Sequence, residues 1–252
     1  MRTVAVANQK GGVGKTTTTV NLAAALGELG YSVLVLDLDP QHSASAWLGL
    51  EPDPGILDVL EGKKHLADLA RETTAKGVEC IASTPDMANA ERALAGEPGG
   101  EAVLREAFVP LPRRRWAFVL VDSPPSLGML TLNALTACRE VLVPVESRPM
   151  ALAGLAALLE TVERVKRRLN PELRITGILP SRVDLRTNLS REALRILREE
   201  FPELVTDTVI RETVRLGEAP GFAQPITTYD PHGYGAADYL ALAAEFIGRE
   251  NE

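Results

Sequence analysis

VAVANQKGGVGKTTTT, residues 4–19, runs from the apolar tetrad Val4 to Ala7 through Gly11, Gly12 and Gly14 into a segment that reads as a helix from Lys15. A short uninterrupted apolar run is what a strand buried on both faces requires. Glycines let successive backbone N–H groups turn inward onto an anion, and a helix start adds unpaired N–H donors and the positive end of its dipole. Residues 10–17 (Lys10, Gly11, Gly12, Val13, Gly14, Lys15, Thr16, Thr17) therefore read as a phosphate cradle. Lys15 supplies a point charge for the outer phosphates, and the Thr16 hydroxyl is placed to ligate a magnesium ion. The common loop pattern G-x-x-x-x-G-K-[ST] is met at Gly14-Lys15-Thr16, but Gln9 stands where its first glycine belongs, and Lys10 adds a second lysine at the mouth of the loop. The loop wraps between the two lysines, so Lys10 does not easily reach the same phosphates from the same side.

The next strand, Val33 to Leu36, delivers Asp37-Leu38-Asp39-Pro40-Gln41 at its C-terminal end, where open α/β sheets hold their ligands. Period-two geometry puts Asp37 and Asp39 on the same side of the extended chain, able to face the phosphate site. Trp116 to Val121 is a further strand, closed by Asp122-Ser-Pro-Pro-Ser126. An aspartate ending an apolar strand is the Walker B arrangement, which makes Asp122 a magnesium ligand. For Asp37 and Asp39 the plainer alternative is a pair of solvent-facing carboxylates at a strand end. Helices are expected over Thr16–Leu29, Ile56–Leu60, Leu66–Ala70, Met87–Leu94, Glu101–Phe108, Leu127–Ala137 and Ala151–Leu169, from Ser190, and from about Gly235 to Gly248. Strands are expected over Val78–Ala82, Glu140–Val145 and Arg174–Leu179. Strand–helix alternation with no repeat, low-complexity tract or linker predicts an α/β fold: one domain over residues 1–252, with a doubly wound, mostly parallel sheet and helices on both faces.

Lys10 to Thr17, KGGVGKTT, is the deviant form of the P-loop, and with it the sequence resembles the ParA/MinD superfamily of nucleotide-dependent dimerising ATPases. The D-x-D-P-Q and D-x-P-P-S-L-G segments continue the resemblance. Arg186-Thr-Asn-Leu189, V-R-L-x-E-A-P at 214–220 and P-I-x-x-Y-D-P at 225–231 are similar to the C-terminal part of the ParA (Soj-like) partition ATPases, so that the likeness runs from residue 3 to about 247. The resemblance implies ATP and Mg2+ as cofactors and a homodimer when ATP is bound, with Lys10 reaching the nucleotide held by the other subunit, the task an arginine finger performs elsewhere. It gives Asp39 the orienting or activating of the attacking water and Asp37 support of the magnesium shell and the loop. It also implies non-specific DNA binding through Arg186 and Arg215, stimulation by a ParB-type centromere-binding protein, and a cytoplasmic, nucleoid-associated protein. The chain departs from the family at His42-Ser43, where glycine and asparagine are usual, at Ser147-Arg148-Pro149-Met150, and at Arg211-Glu212-Thr213, where Pro-Arg-Asn is typical.

Composition restricts the alternatives. At 252 residues, 45% of them hydrophobic, the chain can bury a large core, and no apolar run approaches the ~20 residues of a membrane span. A formal net charge of −7 opposes a uniformly basic surface while leaving room for local patches at 113–115, 164–168 and 182–198. Cys80 and Cys138 stand far apart without a metal-binding pattern and read as small buried residues. They do not match the thiolates that an iron–sulfur reductase with the same loop would need. A MinD-like membrane ATPase would need a basic amphipathic helix at its end, whereas Leu240 to Glu252 is short and acidic.

Overall fold

The structure, a computed structural model, describes residues 1–112, 114–148 and 151–249. Arg113 of the arginine run, Pro149 and Met150 ahead of the long helix, the last three residues of the acidic tail and the side chain of Leu152 lie outside the described residues.

Seven strands build one sheet: β1 (Arg2–Val6), β2 (Val33–Asp37), β3 (Arg71–Glu72), β4 (Val78–Ile81), β5 (Phe118–Asp122), β6 (Glu140–Glu146) and β7 (Arg174–Ser181), in the order β3-β4-β2-β5-β1-β6-β7. Every pair is parallel except β3 with β4 at one edge. Every residue of β1, β2, β5 and β6 is buried, which is why these strands are near-continuous apolar runs rather than alternating ones. Their side chains still alternate between two cores. Ala5, Leu34, Leu36, Val119, Val121 and Val143 face one; Val4, Val33, Val35, Phe118, Leu120 and Leu142 face the other.

Helices cover both faces. They are α1 (Lys15–Glu28), α2 (Ser43–Trp47), α3 (Leu57–Leu60), α4 (Met87–Gly96), α5 (Val103–Phe108), α6 (Met129–Ala137), α7 (Ala151–Arg168), α8 (Asn188–Glu200), α9 (Arg215–Glu218), α10 (Ile226–Tyr229) and α11 (Tyr234–Gly248). Helices α3 to α8 pack on the first core, α1, α2 and α11 on the second. The doubly wound parallel arrangement expected from the sequence is therefore present. Gly30, at φ 90°, ends α1 in the left-handed conformation that glycine adopts without cost, whereas Gly27 lies within the helix for another reason. A Cβ there would stand 2.0 Å from the carbonyl oxygen of Lys76.

Start and end of the described chain are tied together. The Arg2 guanidinium donates to both carboxylate oxygens of Glu140 (2.9 and 2.7 Å) and to the carbonyl of Phe246 in α11 (2.7 Å), and lies over the Phe246 ring. The expected elements shift at a few ends. Leu66–Asp68 is a single 3-10 turn, α8 starts at Asn188 with Thr187 accepting from the Ser190 N–H, and β6 extends one residue past Val145 to Glu146.

Candidate active site

The loop between β1 and α1 is built by glycine at two obligatory positions. Gly12 (φ 74°) and Gly14 (φ 92°) are left-handed, and Gly14 is the residue from which α1 starts, its carbonyl accepting from the Thr18 N–H at 2.8 Å. The loop is braced from β7, where the Ser181 hydroxyl donates to the Val13 carbonyl at 2.7 Å. Lys15, 6% exposed, donates to the carbonyl of Lys10 at 3.2 Å. Burial pushes its ammonium below the ordinary lysine value, against the pull of Asp122 and Asp39. A buried ammonium beside a glycine loop and a helix start is suited to receive an anion.

Three carboxylates come to this end of the sheet because strand register brings them there. Asp122 ends β5, with Asp37 opposite it on β2 and Val6 opposite it on β1. Thr16 and Thr19 donate to the two oxygens of Asp122, at 2.7 and 3.0 Å. Asp37 accepts from the Asp39 N–H (3.1 Å), the Ser45 N–H (2.9 Å) and the Ser45 hydroxyl (2.6 Å), so its oxygens are engaged in ordering the loop and seating α2. Desolvation lifts Asp122 to about 8 and Asp37 to about 6, each also raised by a neighbouring aspartate and lowered by its own hydrogen bonds. The donor set suits magnesium, since the Thr16 hydroxyl and the Asp122 carboxylate are adjacent hard oxygen ligands and a divalent cation would relieve the buried negative charge.

Asp39 is 9% exposed and accepts from the Gln41 N–H at 2.9 Å. Together with Gly12, Gly14, Lys15, Thr16 and Thr17 it lines a cleft of about 380 Å³. The same cleft is lined by Ser181, Arg182, Arg211, Glu212, Thr213, Leu216 and Tyr239, none of which the sequence marked as a site residue. Arg211 is fixed there by Asp238, its Nε donating at 3.0 Å, and by stacking over Tyr234. His42, where relatives were expected to carry glycine, adopts φ 58°, and its ring nitrogens lie 2.9 Å from the Ser83 carbonyl and 3.1 Å from that of Leu50. It is a staple of the loop that carries Asp39.

Lys10 is not part of the cleft wall. Its ammonium pairs with Glu146 at the end of β6 at 2.9 Å, while its own N–H is held by Asn8 at 3.0 Å. Glu146, which the sequence reading passed over, also receives Arg148 at 3.0 Å and Arg182 at 3.9 Å. Burial alone would raise its pKa, but these cations, Lys10 foremost, hold it below the ordinary carboxylate range.

The two arginines expected on a DNA-binding surface are exposed and ion-paired. Arg186, 90% exposed, donates to Asp184 at 2.8 Å, and Arg215 donates to Glu218 at 2.9 Å. Their segments are joined where the Glu212 N–H donates to the Val183 carbonyl at 3.1 Å. Among the described residues no helix is long and apolar enough to cross a membrane, and α11 buries Ala236, Tyr239, Leu242, Ala243 and Phe246 in the core shared with α1.

Comparisons with known proteins agree with this geometry. A protein-family model described as an AAA domain matches residues 1–175. The chromosome-partitioning ATPase Soj of Thermus thermophilus is 45% identical over 252 residues, covering 100% of this chain and 98% of the relative. The chromosome partitioning protein ParA of Caulobacter vibrioides is 40% identical over 256 residues, covering 100% of this chain and 96% of its own length. Among solved structures, a Mycobacterium smegmatis protein named cobyrinic acid a,c-diamide synthase, crystallised with ADP and magnesium, superposes with a TM-score of 0.87 at 34% identity, covering 100% of this chain and 96% of the other.

Proposed function

The chain belongs to the ParA (Soj-like) family of partition ATPases, and from that premise we propose how its residues divide the work. It is a magnesium-dependent ATPase of the chromosome-partitioning type. In this reading the backbone of Gly11 to Thr17 and the Lys15 ammonium cradle the phosphates, and Thr16 and Asp122 hold the magnesium ion. Asp37 acts at one remove, by ordering the Asp39 loop beside Asp122. The metal, when bound, neutralises charge on the outer phosphates. Asp39 orients a water whose oxygen bonds to the γ-phosphorus as the bond to the β–γ bridging oxygen breaks, giving ADP and inorganic phosphate.

Lys10 completes the pocket of a second copy, so that a triphosphate is contacted from both sides and ATP favours a sandwich dimer. Arg186 and Arg215 from each copy then grip the DNA backbone without sequence preference. Phosphate contacts add, so two weak patches acting together hold DNA where one does not. A ParB-type centromere-binding protein stimulates hydrolysis and resets the cycle, on the nucleoid of the cytoplasm. The whole of residues 1–252 acts as one ATPase domain.

The observation that carries this reading is the convergence of Lys15, Thr16 and Asp39 on one cleft, with Asp122 held behind it by the Thr16 hydroxyl and a further lysine of the same loop turned to Glu146 instead. Sedimentation with Mg-ATP, with Mg-ADP and with DNA tests it. A dimer is expected in ATP alone, DNA binding only by that dimer, and neither from Lys10→Ala; a protein that stays monomeric at saturating ATP overturns the assembly. The membrane alternative finds no support in α11, whose apolar face is already buried.

A further inference from the structure

We propose that Glu146 is a latch that stows Lys10 against its own subunit and sets the threshold for ATP-driven dimerisation. The inference rests on the proposed role of Lys10 in the pocket of a second copy and adds the device that regulates it.

The geometry is that of a stored side chain. Lys10 keeps a fixed backbone, because Asn8 accepts from its N–H and in turn donates from Nδ2 to the Pro144 carbonyl of β6 at 2.7 Å. From that anchored point the side chain runs along β6 to Glu146, two residues further on, and the ammonium docks at 2.9 Å. The lysine side chain is 43% exposed and the carboxylate only 8%, so the socket is built into the sheet end while the plug remains free to swing out. Glu146 does not depend on Lys10 for its neutralisation. Arg148 and Arg182 stay beside it at 3.0 and 3.9 Å when the lysine leaves, so release does not strand a buried charge.

The latch is also wired to the nucleotide. The Lys10 carbonyl accepts from Lys15 Nζ at 3.2 Å, and Lys15 is the group that turns to the phosphates when they bind. Filling the cleft withdraws that hydrogen bond from the peptide carrying Lys10, which loosens the stowed conformation when the lysine is needed elsewhere. Ser181 lies opposite Glu146 on β7 and braces Val13, so the two adjacent strand ends grip both halves of the loop.

A partly exposed ion pair is worth at most about 1 kcal/mol, a factor of about five. A symmetric sandwich must open two latches, so the factors multiply. Removing the Glu146 charge is expected to lower the dimer dissociation constant by up to roughly 25-fold.

The experiment is sedimentation of the wild type, Glu146→Gln, Lys10→Ala and the double variant, titrated in a non-hydrolysable ATP analogue with magnesium, with parallel runs in ADP. The latch predicts that Glu146→Gln dimerises at lower concentration than wild type in the analogue and stays monomeric in ADP, while the double variant behaves as Lys10→Ala. An effect of added salt that weakens the wild-type threshold but not that of Glu146→Gln is the accompanying signature. If Lys10→Ala has lost dimerisation but Glu146→Gln dimerises no better than wild type, the latch is wrong and the trans lysine stands. Poorer dimerisation of Glu146→Gln, with a melting temperature in ADP equal to wild type, places Glu146 in the interface and also overturns the latch. If Lys10→Ala dimerises normally, the trans reading itself fails and the latch with it. A melt of each variant in ADP separates all of these from loss of folding.

Discussion

Asp122 and Asp37 stand opposite each other on neighbouring strands, both fully buried, and the free energy of that arrangement follows pH. Both carboxyls lie above their ordinary values, so between about pH 4, where an unfolded aspartate titrates, and about 8 the folded state holds more protons than the unfolded one. Stability carried by these groups is therefore present at low pH and lost as pH rises through that window. The melting temperature of metal-free protein is expected to fall between pH 5 and pH 8, Asp122→Asn to flatten the fall, and Mg-nucleotide to offset it; scanning fluorimetry in a buffer series reads all three. Lys15→Ala removes the buried cation of the cradle, and calorimetry is expected to show no ATP binding at concentrations that saturate wild type. Asp39→Ala leaves the cradle whole, so it is expected to bind ATP and accumulate as a dimer with turnover lowered roughly 100-fold or more. Lys15, Thr16 and Asp122 were legible because a motif fixes their local geometry. Glu146 obeys the same strand-end rule as Asp37 and Asp122, but it follows Val-Pro-Val with no motif around it. His42 was legible only as a departure, since nothing in its neighbours announces a left-handed residue bridging two carbonyls.

The elements divide by how much of their stability is their own. Strands β1, β2 and β5 and the long helices α1, α7 and α11 carry their periodicity in the sequence and are found within a few residues of where it puts them. Helix α2 and strand β3 went unseen. Five residues do not make a helix in water, and α2 exists because Asp37 holds Ser45 at its start and Gln224 accepts from the Trp47 indole at 2.7 Å. Strand β3 is two residues paired antiparallel to β4, too short to show a pattern. Removing the hydroxyl half of the Ser45–Asp37 tie therefore loosens α2: Ser45→Ala is expected to slow turnover while leaving ATP affinity within about threefold, since it loosens the Asp39 loop and not the cradle, and steady-state kinetics against binding would show the split. Where a helix is held by packing, the cost is larger. Leu242, 1% exposed in α11, is expected on Leu242→Ala to cost about 2–5 kcal/mol in urea unfolding, because its cavity opens against α1.

On the scale of the whole molecule, the proposed DNA binding has the least support from bulk charge, since the net charge is −7 and the cations are countered locally. Arg195 pairs with Glu192 and Glu199, and Arg186 and Arg215 with Asp184 and Glu218, so each must exchange a carboxylate for a phosphate. Substituting Arg186 and Arg215 by alanine is expected to weaken binding about equally for all sequences. With roughly 0.9 counterion per phosphate contact and two contacts per subunit, the salt slope of a dimer flattens by about 3 to 4. A titration at several salt concentrations checks this, and an unchanged slope moves the patch elsewhere.

The clasp of Arg2 on Glu140 and on the Phe246 carbonyl has a consequence for how the molecule is made. At about 5–20 residues per second, a ribosome needs on the order of 10–50 s to pass from β1 to α11. The loop that will hold ATP is made before β5 and β6, the neighbours of β1 in the sheet, and well before α11, the helix that closes over α1. A nascent chain thus leaves the part of α1 that α11 covers exposed until that helix is made, and the clasp joining β1 to β6 and α11 closes only then.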